Sequence, residues 1–334
     1  MVGLGAVGAR SARLLVSAYG FTGLTVLSRR PERLSGSLEL LGEPGAVRAE
    51  RLTHSRFEAC LSRAGVVLLA TPAPGRHWAS AALAAGVAVV SVNDDPAEVR
   101  SLLGLAEGAN RAGVAMAVGA GMAPGLSCLM GAWLVRRMGR VDELHVATLG
   151  TGGPACARRR HAALREPAEE RRRGAWTRRP PGSGRELVWF PADVGGADCY
   201  RVSRPDPLLL GRAFPGLQTV TTRAAASRRD RMTSWLPMLR RPHPEGALGA
   251  VRLEARGESG GLAEALILGA AGRPAVLAGT VAATTAAWAA QGRLEPTAGG
   301  LAELVGDPAG FLAELIGRGV VLQEFEGTTP APTW

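Results

Sequence analysis

The chain of 334 residues contains no lysine, so all 39 of its strongly basic side chains are arginine, and the formal net charge is +10. That absence excludes whole classes of chemistry. A lysine Schiff base, a lysine-bearing phosphate loop and a lysine general base are all ruled out. A catalytic cation must be arginine or protonated histidine, and a base must be His, Asp, Glu, Tyr or Cys. Arginine without lysine, in a chain rich in alanine and glycine, reads as coding bias rather than as a surface selected for nucleic acid. Aromatic residues make up only 4%, leaving few rings on which bases could stack. The Arg158–Arg160/His161 and Arg171–Arg173 clusters are interleaved with Glu166, Glu169 and Glu170 and read as solvated faces. One or two of their arginines could instead clamp a substrate carboxylate.

Cysteine is sparse as well. Cys60, Cys128, Cys156 and Cys199 form no C-x-x-C pair and have no histidine at metal-ligand spacing. No metal is expected, and the thiols suit a reducing cytoplasm. No apolar run reaches the ~18–20 residues of a membrane span. The N-terminus carries Arg10 and Arg13 within a glycine-patterned run and reads as a folded element rather than a secretory signal. The length suffices for two domains, each with its own core.

What is present starts at once. Gly3-Leu4-Gly5-Ala6-Val7-Gly8 opens a helical run of about Val7–Tyr19, ended by Gly20, and Leu24–Ser28 reads as the strand after it. Glycines at this spacing permit a tight turn, a close approach to a pyrophosphate and close helix–strand packing. The helix they open aims free N–H groups and a positive dipole end at the phosphates. About 20 residues on, where an acid would bind a ribose 2′-hydroxyl, stands Ser28-Arg29-Arg30. A hydroxyl and two guanidiniums suit a 2′-phosphate, so the expected cofactor is NADP(H). A solvated Arg-Arg loop is the plain alternative. Only Met1-Val2 precedes Gly3, so either the first strand is truncated or the chain starts inside the true one.

Strand and helix then alternate. Strands are expected at Ala46–Leu52, Val66–Ala70, Ala88–Val92 and Val114–Val118, and helices at Ser55–Ser62, Arg76–Ala85 and Pro96–Ala112. This is the pattern of a doubly wound parallel sheet. Thr71-Pro72 and Asn93-Asp94-Asp95 fall at its carboxyl edge. A second glycine-rich turn, Gly119–Ser127, opens a helix running to about Met138, with Pro124 near its start. The turn either faces the nicotinamide or substrate, or is a packed boundary turn. Beyond it come a strand at Val141–Leu149, a basic helix at Ala155–Glu170 and an Arg171–Arg185 loop. Five strands follow: Leu187–Phe190, Cys199–Ser203, Thr219–Arg223, Gly249–Arg256 and Ala263–Leu268. Helices at Ala275–Ala290 and Pro308–Ile316, a strand at Val320–Phe325 and a loose tail at Thr328–Trp334 complete the chain.

The fingerprint, the Ser28–Arg33 tip, Thr71-Pro72, Asn93-Asp94-Asp95 and Gly121–Ser127 together resemble the saccharopine dehydrogenase/reductase-like family. Val188-Trp189-Phe190-Pro191 and the late alanine-rich helix after Gly272-Arg273-Pro274 are similar to members of that group. The resemblance implies an α/β fold: a doubly wound parallel Rossmann sheet (1–127), then a second α+β domain with a mainly antiparallel sheet (128–270). The latter would bind substrate and serve dimerisation, while a helical segment (271–334) packs back on the core. The activity implied is NADP-dependent hydride transfer to or from a small, amino-acid-derived imine or carbonyl. Carried over by position, Gly3, Gly5, Ala6, Val7 and Gly8 hold the pyrophosphate, and Ser28, Arg29 and Arg30 hold the 2′-phosphate. Thr71 and Pro72 line the path to the nicotinamide, and the turn containing Gly121 and Pro124 faces it. The aromatic residue often found after the fifth strand in the family is absent at Ser91-Val92-Asn93.

Asn93 and Asp94 are the first candidates for substrate polarisation or proton handling. Against them stands the reading that Asp94 or Asp95 caps the helix at Pro96. His77, beside the Thr71–Gly75 loop, is either a proton donor or, more simply, a surface residue; Cys128 is either a thiol activated by the N-terminus of its helix or a small packing residue; and His145 reads as a satisfied core histidine. The expected partners are a small-molecule substrate and a second copy of the chain, not nucleic acid or a membrane. The competing class is a non-catalytic NADP-binding sensor or scaffold, which the lack of an obvious proton donor keeps in view.

Overall fold

The structure is a computed structural model and describes residues 1–34, 47–72, 74–191, 193–238, 242–244 and 246–325. The expected tail at Thr328–Trp334 lies outside these residues.

The first sheet is parallel throughout. β1 (Leu24–Ser28) pairs with β2 (Val47–Arg51), and β3 (Val66–Leu69), β4 (Ala88–Ser91), β5 (Met116–Val118) and β14 (Ala298–Gly299) follow side by side. A single residue joins the two groups. Val2 bridges Leu27 on one side and Leu69 on the other, and it is 1% exposed. Counting Val2 as the first strand, the order is third, second, first, fourth, fifth, sixth, with β14 outermost. The winding direction therefore reverses between Val2 and β3, which creates the crevice where such sheets bind ligands. The strands Val67–Leu69 and Ala88–Ser91 are buried on both faces, as their unbroken apolar sequence requires.

Local signals set the helices around this sheet. Helix α1 (Ala6–Ser17) starts at Gly5, and Thr53 caps α2 (His54–Leu61) by accepting from the Arg56 N–H. α3 spans Arg76–Ala84. The helix expected over Pro96–Ala112 is two: α4 (Pro96–Leu103) and α5 (Ala106–Ala112), parted at Gly104, which caps the first. Glycine weakens a helix interior and eases such a break.

After α6 (Leu126–Arg137) the chain builds a nine-stranded sheet. Its path runs β15 (Val321–Phe325), β13 (Leu262–Gly272), β12 (Gly249–Ser259), β6 (Arg140–Leu149), β11 (Thr219–Ala225), β10 (Gly196–Arg201) and β9 (Glu186–Trp189). Every pairing is antiparallel except β6 with β11. One face packs on α6 and α8 (Asp206–Ala213) through Leu144, Val146, Leu253, Leu129 and Leu209, all fully buried or nearly so. Gly131 lets α6 lie this close: a Cβ there would stand 2.9 Å from Leu210 Cδ2.

The basic helix α7 spans only Pro154–Ala163, and β7 (Ala168–Arg172) and β8 (Ala175–Arg179) form a hairpin where helix and loop are expected. Pro167, without an N–H, cannot continue the helix. The hairpin reverses through Arg173 and Gly174, both at positive φ, and aims the Glu170 carboxylate inward among Arg172 and Arg201 at 3.0 Å each.

The C-terminal part returns to both sheets. Helix α10 (Pro274–Ala290), next in the chain after the short α9 (Arg228–Thr233), is buried along almost its whole length and rests on α1, where Ser11 Oγ donates to Gly279 O at 3.2 Å. A Cβ at Gly279 would be 2.5 Å from Arg10 Cβ. Tyr19 bonds Thr284 and Glu314 at 2.8 Å, and Trp288 Nε1 donates to Glu314 at 2.7 Å. Among the described residues no helix is long and apolar enough to cross a membrane.

Candidate functional site

The three fingerprint glycines answer to three different constraints. Gly3 has φ +91°, and a Cβ there would overlap Thr71 Cγ2 and come within 2.8 Å of Ala70 O. Gly8 faces inward, where a Cβ would be 2.7 Å from Gly3 O and 3.2 Å from Ala70 Cβ. Gly5 is exposed, and no heavy atom lies within 4 Å of the place its Cβ would take. A turn, a helix–strand contact and an open approach are the three uses such glycines have in a dinucleotide site. Gly5 is also the N-cap of α1 and supplies no side-chain cap, so Ala6, Val7 and Gly8 present N–H groups at the positive end of the helix. The residues therefore fit a pyrophosphate.

At the end of β1, Ser28 is half-buried and its Oγ accepts from the Arg30 N–H at 3.2 Å. Arg29 and Arg30 are exposed, and neither guanidinium has an ion-pair partner among the described residues. Thr71 packs against the Gly3 turn, and Pro72 beside it is exposed.

The second glycine turn is built differently. Gly121 and Pro124 are buried, with the Gly121 N–H donating to Pro124 O at 2.9 Å and the Leu126 N–H to Gly121 O at 2.9 Å. Gly121 sits under Val92 O and the Ala278 methyl of α10. The turn's own backbone and α10 thus surround Gly121, while Pro124 packs against Gly119.

Asn93, Asp94 and Asp95 follow β4 and are half-buried. Asp95 is the helix cap: its Oδ1 accepts from the Ala97 and Glu98 N–H groups at 3.0 and 3.1 Å. Asn93 Oδ1 is engaged by the Asp95 N–H at 2.9 Å. That leaves the Asp94 carboxylate to turn toward the second sheet, where Arg204 Nη1 lies 3.5 Å away.

Residues distant in sequence gather around Asp94. Arg204 also lies 3.5 Å from Asp206 Oδ2, and Asp206, fully buried, accepts from Ser127 Oγ at 2.6 Å. Arg159 of α7 approaches Asp95 at 3.4 Å and binds Glu166 through both terminal nitrogens, at 2.8 and 2.6 Å. Burial pushes the Asp94 carboxyl up, opposed by the Arg204 and Arg159 guanidiniums and reinforced by Asp206. Burial, then the charge of Asp94, pushes the Cys156 thiol up to about 11. The start of α7 lies against the first glycine turn, for a Cβ at Gly153 would be 2.9 Å from Ala6 Cβ. Helix α7 thus touches the glycine turn at its start and carries Arg159 toward Asp95 further along, beside the Asp94–Arg204 pair. A carboxyl held this way suits proton handling.

No local motif in the sequence marks Arg204, Asp206 or Cys156 as site residues, and Arg159 stands within a cluster of arginines. The other singled-out residues sit apart. His77 is exposed, its ring tilted 47° against that of Trp78 with centroids 4.0 Å apart. His145 bonds Thr221 and Glu143 at 2.9 and 3.0 Å, and burial lowers its pKa. Cys128 is fully buried, which pushes its thiol up to about 12. No group of three metal-ligating side chains occurs among the described residues.

No protein-family profile and no curated protein matches the sequence. Solved structures do match the fold. Apo saccharopine dehydrogenase (L-Glu forming) from Saccharomyces cerevisiae aligns over 97% of this chain and 99% of its own, with TM-score 0.71 and 14% identity. Amine dehydrogenase from Mycobacterium smegmatis aligns over 91% and 94%, with TM-score 0.54 and 13% identity. The DAP dehydrogenase of C. glutamicum, in complex with DAP, aligns over 96% and 98%, with TM-score 0.51 and 15% identity. The chain thus shares the two-part α/β fold of saccharopine dehydrogenase and related dehydrogenases.

Proposed function

We propose that the protein is an NADP(H)-dependent oxidoreductase acting on a small, amino-acid-derived imine or carbonyl. The observation that carries this reading is the glycine turn at the reversal point of the sheet: open at Gly5, closed at Gly3 and Gly8, and followed at the tip of β1 by two exposed guanidiniums that have no ion-pair partner among the described residues. Ala6, Val7 and Gly8 hold the pyrophosphate through their N–H groups, and Ser28, Arg29 and Arg30 hold the 2′-phosphate by charge-assisted bonds. The cofactor, when bound, supplies the hydride chemistry.

The chain's own residues supply position and charge. Asp94, held between Arg204 and the helix capped by Asp95, carries or removes a proton at the substrate heteroatom, and Asn93 sits beside it. In this reading residues 1–127 bind the cofactor and 128–270 close over the substrate. The fold shared with saccharopine dehydrogenase supports the choice of reaction class.

The test is cofactor titration followed by turnover. NADPH is expected to bind at least tenfold more tightly than NADH, and Arg29→Ala with Arg30→Ala to abolish that preference. Equal binding of both cofactors by the parent protein contradicts the assignment of the tip. NADPH oxidation is then measured with 2-oxo acids or aldehydes combined with amino acids. Tight NADPH binding with no turnover on any pair favours a sensor over an enzyme.

A further inference from the structure

The segment after β11 is turned inside out. Ser227 and Asp230 form a capping box that starts α9, each side chain accepting the other's backbone N–H at 3.0 Å. The groups that tie this segment to the body of the protein are polar. Asp230 lies 3.3 Å from Arg160 of α7, the Arg231 guanidinium lies 4.0 Å from the centre of the Tyr200 ring, and Arg231 Nη1 donates to Gly182 O at 3.2 Å. Ser234 is buried, its Oγ donating to Arg231 O at 2.8 Å, and His161 Nε2 donates to Leu236 O at 2.8 Å. The apolar side chains are left outside: Met232, Trp235, Leu236 and Met238 are between 37% and 68% exposed. A surface helix ordinarily buries its apolar stripe and shows its polar one. Large apolar side chains exposed together on so short a segment mark a contact with something outside the fold.

Beside the segment lies a cavity of about 800 Å³, lined by Arg160, Arg185, Arg228 and Arg231 and by two acids, Asp198 and Asp230. Each acid takes one arginine, Asp198 pairing with Arg185 at 3.0 Å and Asp230 with Arg160. Arg231 rests on a ring, and Arg228, exposed, has no ion-pair partner among the described residues. Two positive charges are therefore left over next to the exposed apolar side chains, and Arg229, also exposed, adds a third.

We propose that this face docks on a membrane surface carrying anionic phospholipids. Met232, Trp235, Leu236 and Met238 enter the outer acyl layer, and the cavity arginines receive phosphate headgroups. Such a contact needs both halves of the surface: apolar side chains that leave water, and cations that meet the negative headgroup layer. Tryptophan suits the boundary, since its ring is apolar and its N–H polar. Charge decides against a second copy of the chain. A two-fold contact sets one patch against itself, bringing Arg228 and Arg229 up to their own counterparts in a protein of formal net charge +10. The sequence expectation of no membrane partner rests on the lack of a long apolar run, which a peripheral contact does not need. None of these residues has a part in the cofactor site, so the docking is independent of the cofactor reading.

The test is flotation of the full chain with vesicles of phosphatidylcholine alone and of phosphatidylcholine mixed with phosphatidylglycerol. The mixed vesicles are expected to bind more tightly, by about tenfold or more. Any basic protein is drawn to an anionic surface, so the deciding variant leaves the charge alone. Trp235→Ser with Leu236→Ser should weaken binding to the mixed vesicles by about tenfold or more. Both side chains are exposed, so its Tm should stay within about 2 °C of the parent. Arg228→Ala with Arg229→Ala should weaken binding to the mixed vesicles and leave binding to phosphatidylcholine unchanged. Equal flotation of the parent and the Trp235/Leu236 variant overturns the proposal. So does a parent dimer in sedimentation velocity that the same variant abolishes, with no flotation of either. A protein that binds glycerol phosphate in solution yet fails to float with the mixed vesicles assigns the arginines to a soluble anion and overturns the docking.

Discussion

Replacing one glycine of the first turn by alanine should separate binding from folding. At Gly5 the backbone is extended, with φ −75° and ψ −171°, and nothing lies within 4 Å of the new methyl group. Alanine is a poorer N-cap than glycine, by up to about 1 kcal/mol, but it loses about 0.4–1 kcal/mol less chain entropy on folding. The two effects cancel closely, so Gly5→Ala should melt within about 2 °C of the parent. The methyl group nevertheless occupies the approach a phosphate needs, and NADPH binding should weaken at least tenfold, which is about 1.4 kcal/mol. Gly3→Ala is the control. Its φ of +91° costs an alanine about 1–2 kcal/mol, and the overlap with Thr71 and the approach to Ala70 O add about 1–3 kcal/mol more. A fall in Tm on the order of 5–10 °C is expected there. The assay pairs thermal melts with NADPH fluorescence titration. A folded Gly5→Ala protein that binds NADPH within twofold of the parent refutes the placement of the phosphates at this turn.

Two further substitutions probe the group around Asp94. Because burial raises the Asp94 pKa in the folded state, its contribution to stability is present below the ordinary carboxylate range and lost as pH rises through the raised value. Asp94→Asn should therefore melt above the parent at neutral pH, converge with it below about pH 4, and lose turnover; a gap that does not change with pH contradicts this. Asp206→Ala removes the acceptor of Ser127 Oγ and a neighbour of Arg204. Breaking such a buried arrangement costs about 3 kcal/mol, so Tm measured by calorimetry should fall by roughly 6–10 °C.

Much of the first sheet was legible because its signals are local. A run such as Val66–Leu69 is apolar without interruption, glycines precede α1, and Asp95-Pro96 both caps and starts a helix. The hairpin at Ala168–Arg179 was not legible, since its arginines and glutamates show no alternation of polar with apolar residues. It is held instead by Glu170 turning in among arginines. β14 is two residues long and pairs with β5 from more than 170 positions away; no local pattern could announce it.

The glycine spacing and the alternation of apolar strands with helices are properties of short stretches, and the sequence by itself determined from them a doubly wound α/β fold. Tertiary structure decided which aspartate caps a helix and which faces Arg204, and it gathered Ser127, Asp206, Arg204 and Arg159 around Asp94. It also buried Gly121 against α10 and made Val2 a bridge between two halves of a sheet. The physical reason is range. Backbone conformation and helix starts depend on neighbours a few residues away, whereas burial and ion pairing depend on which surfaces meet when the chain closes.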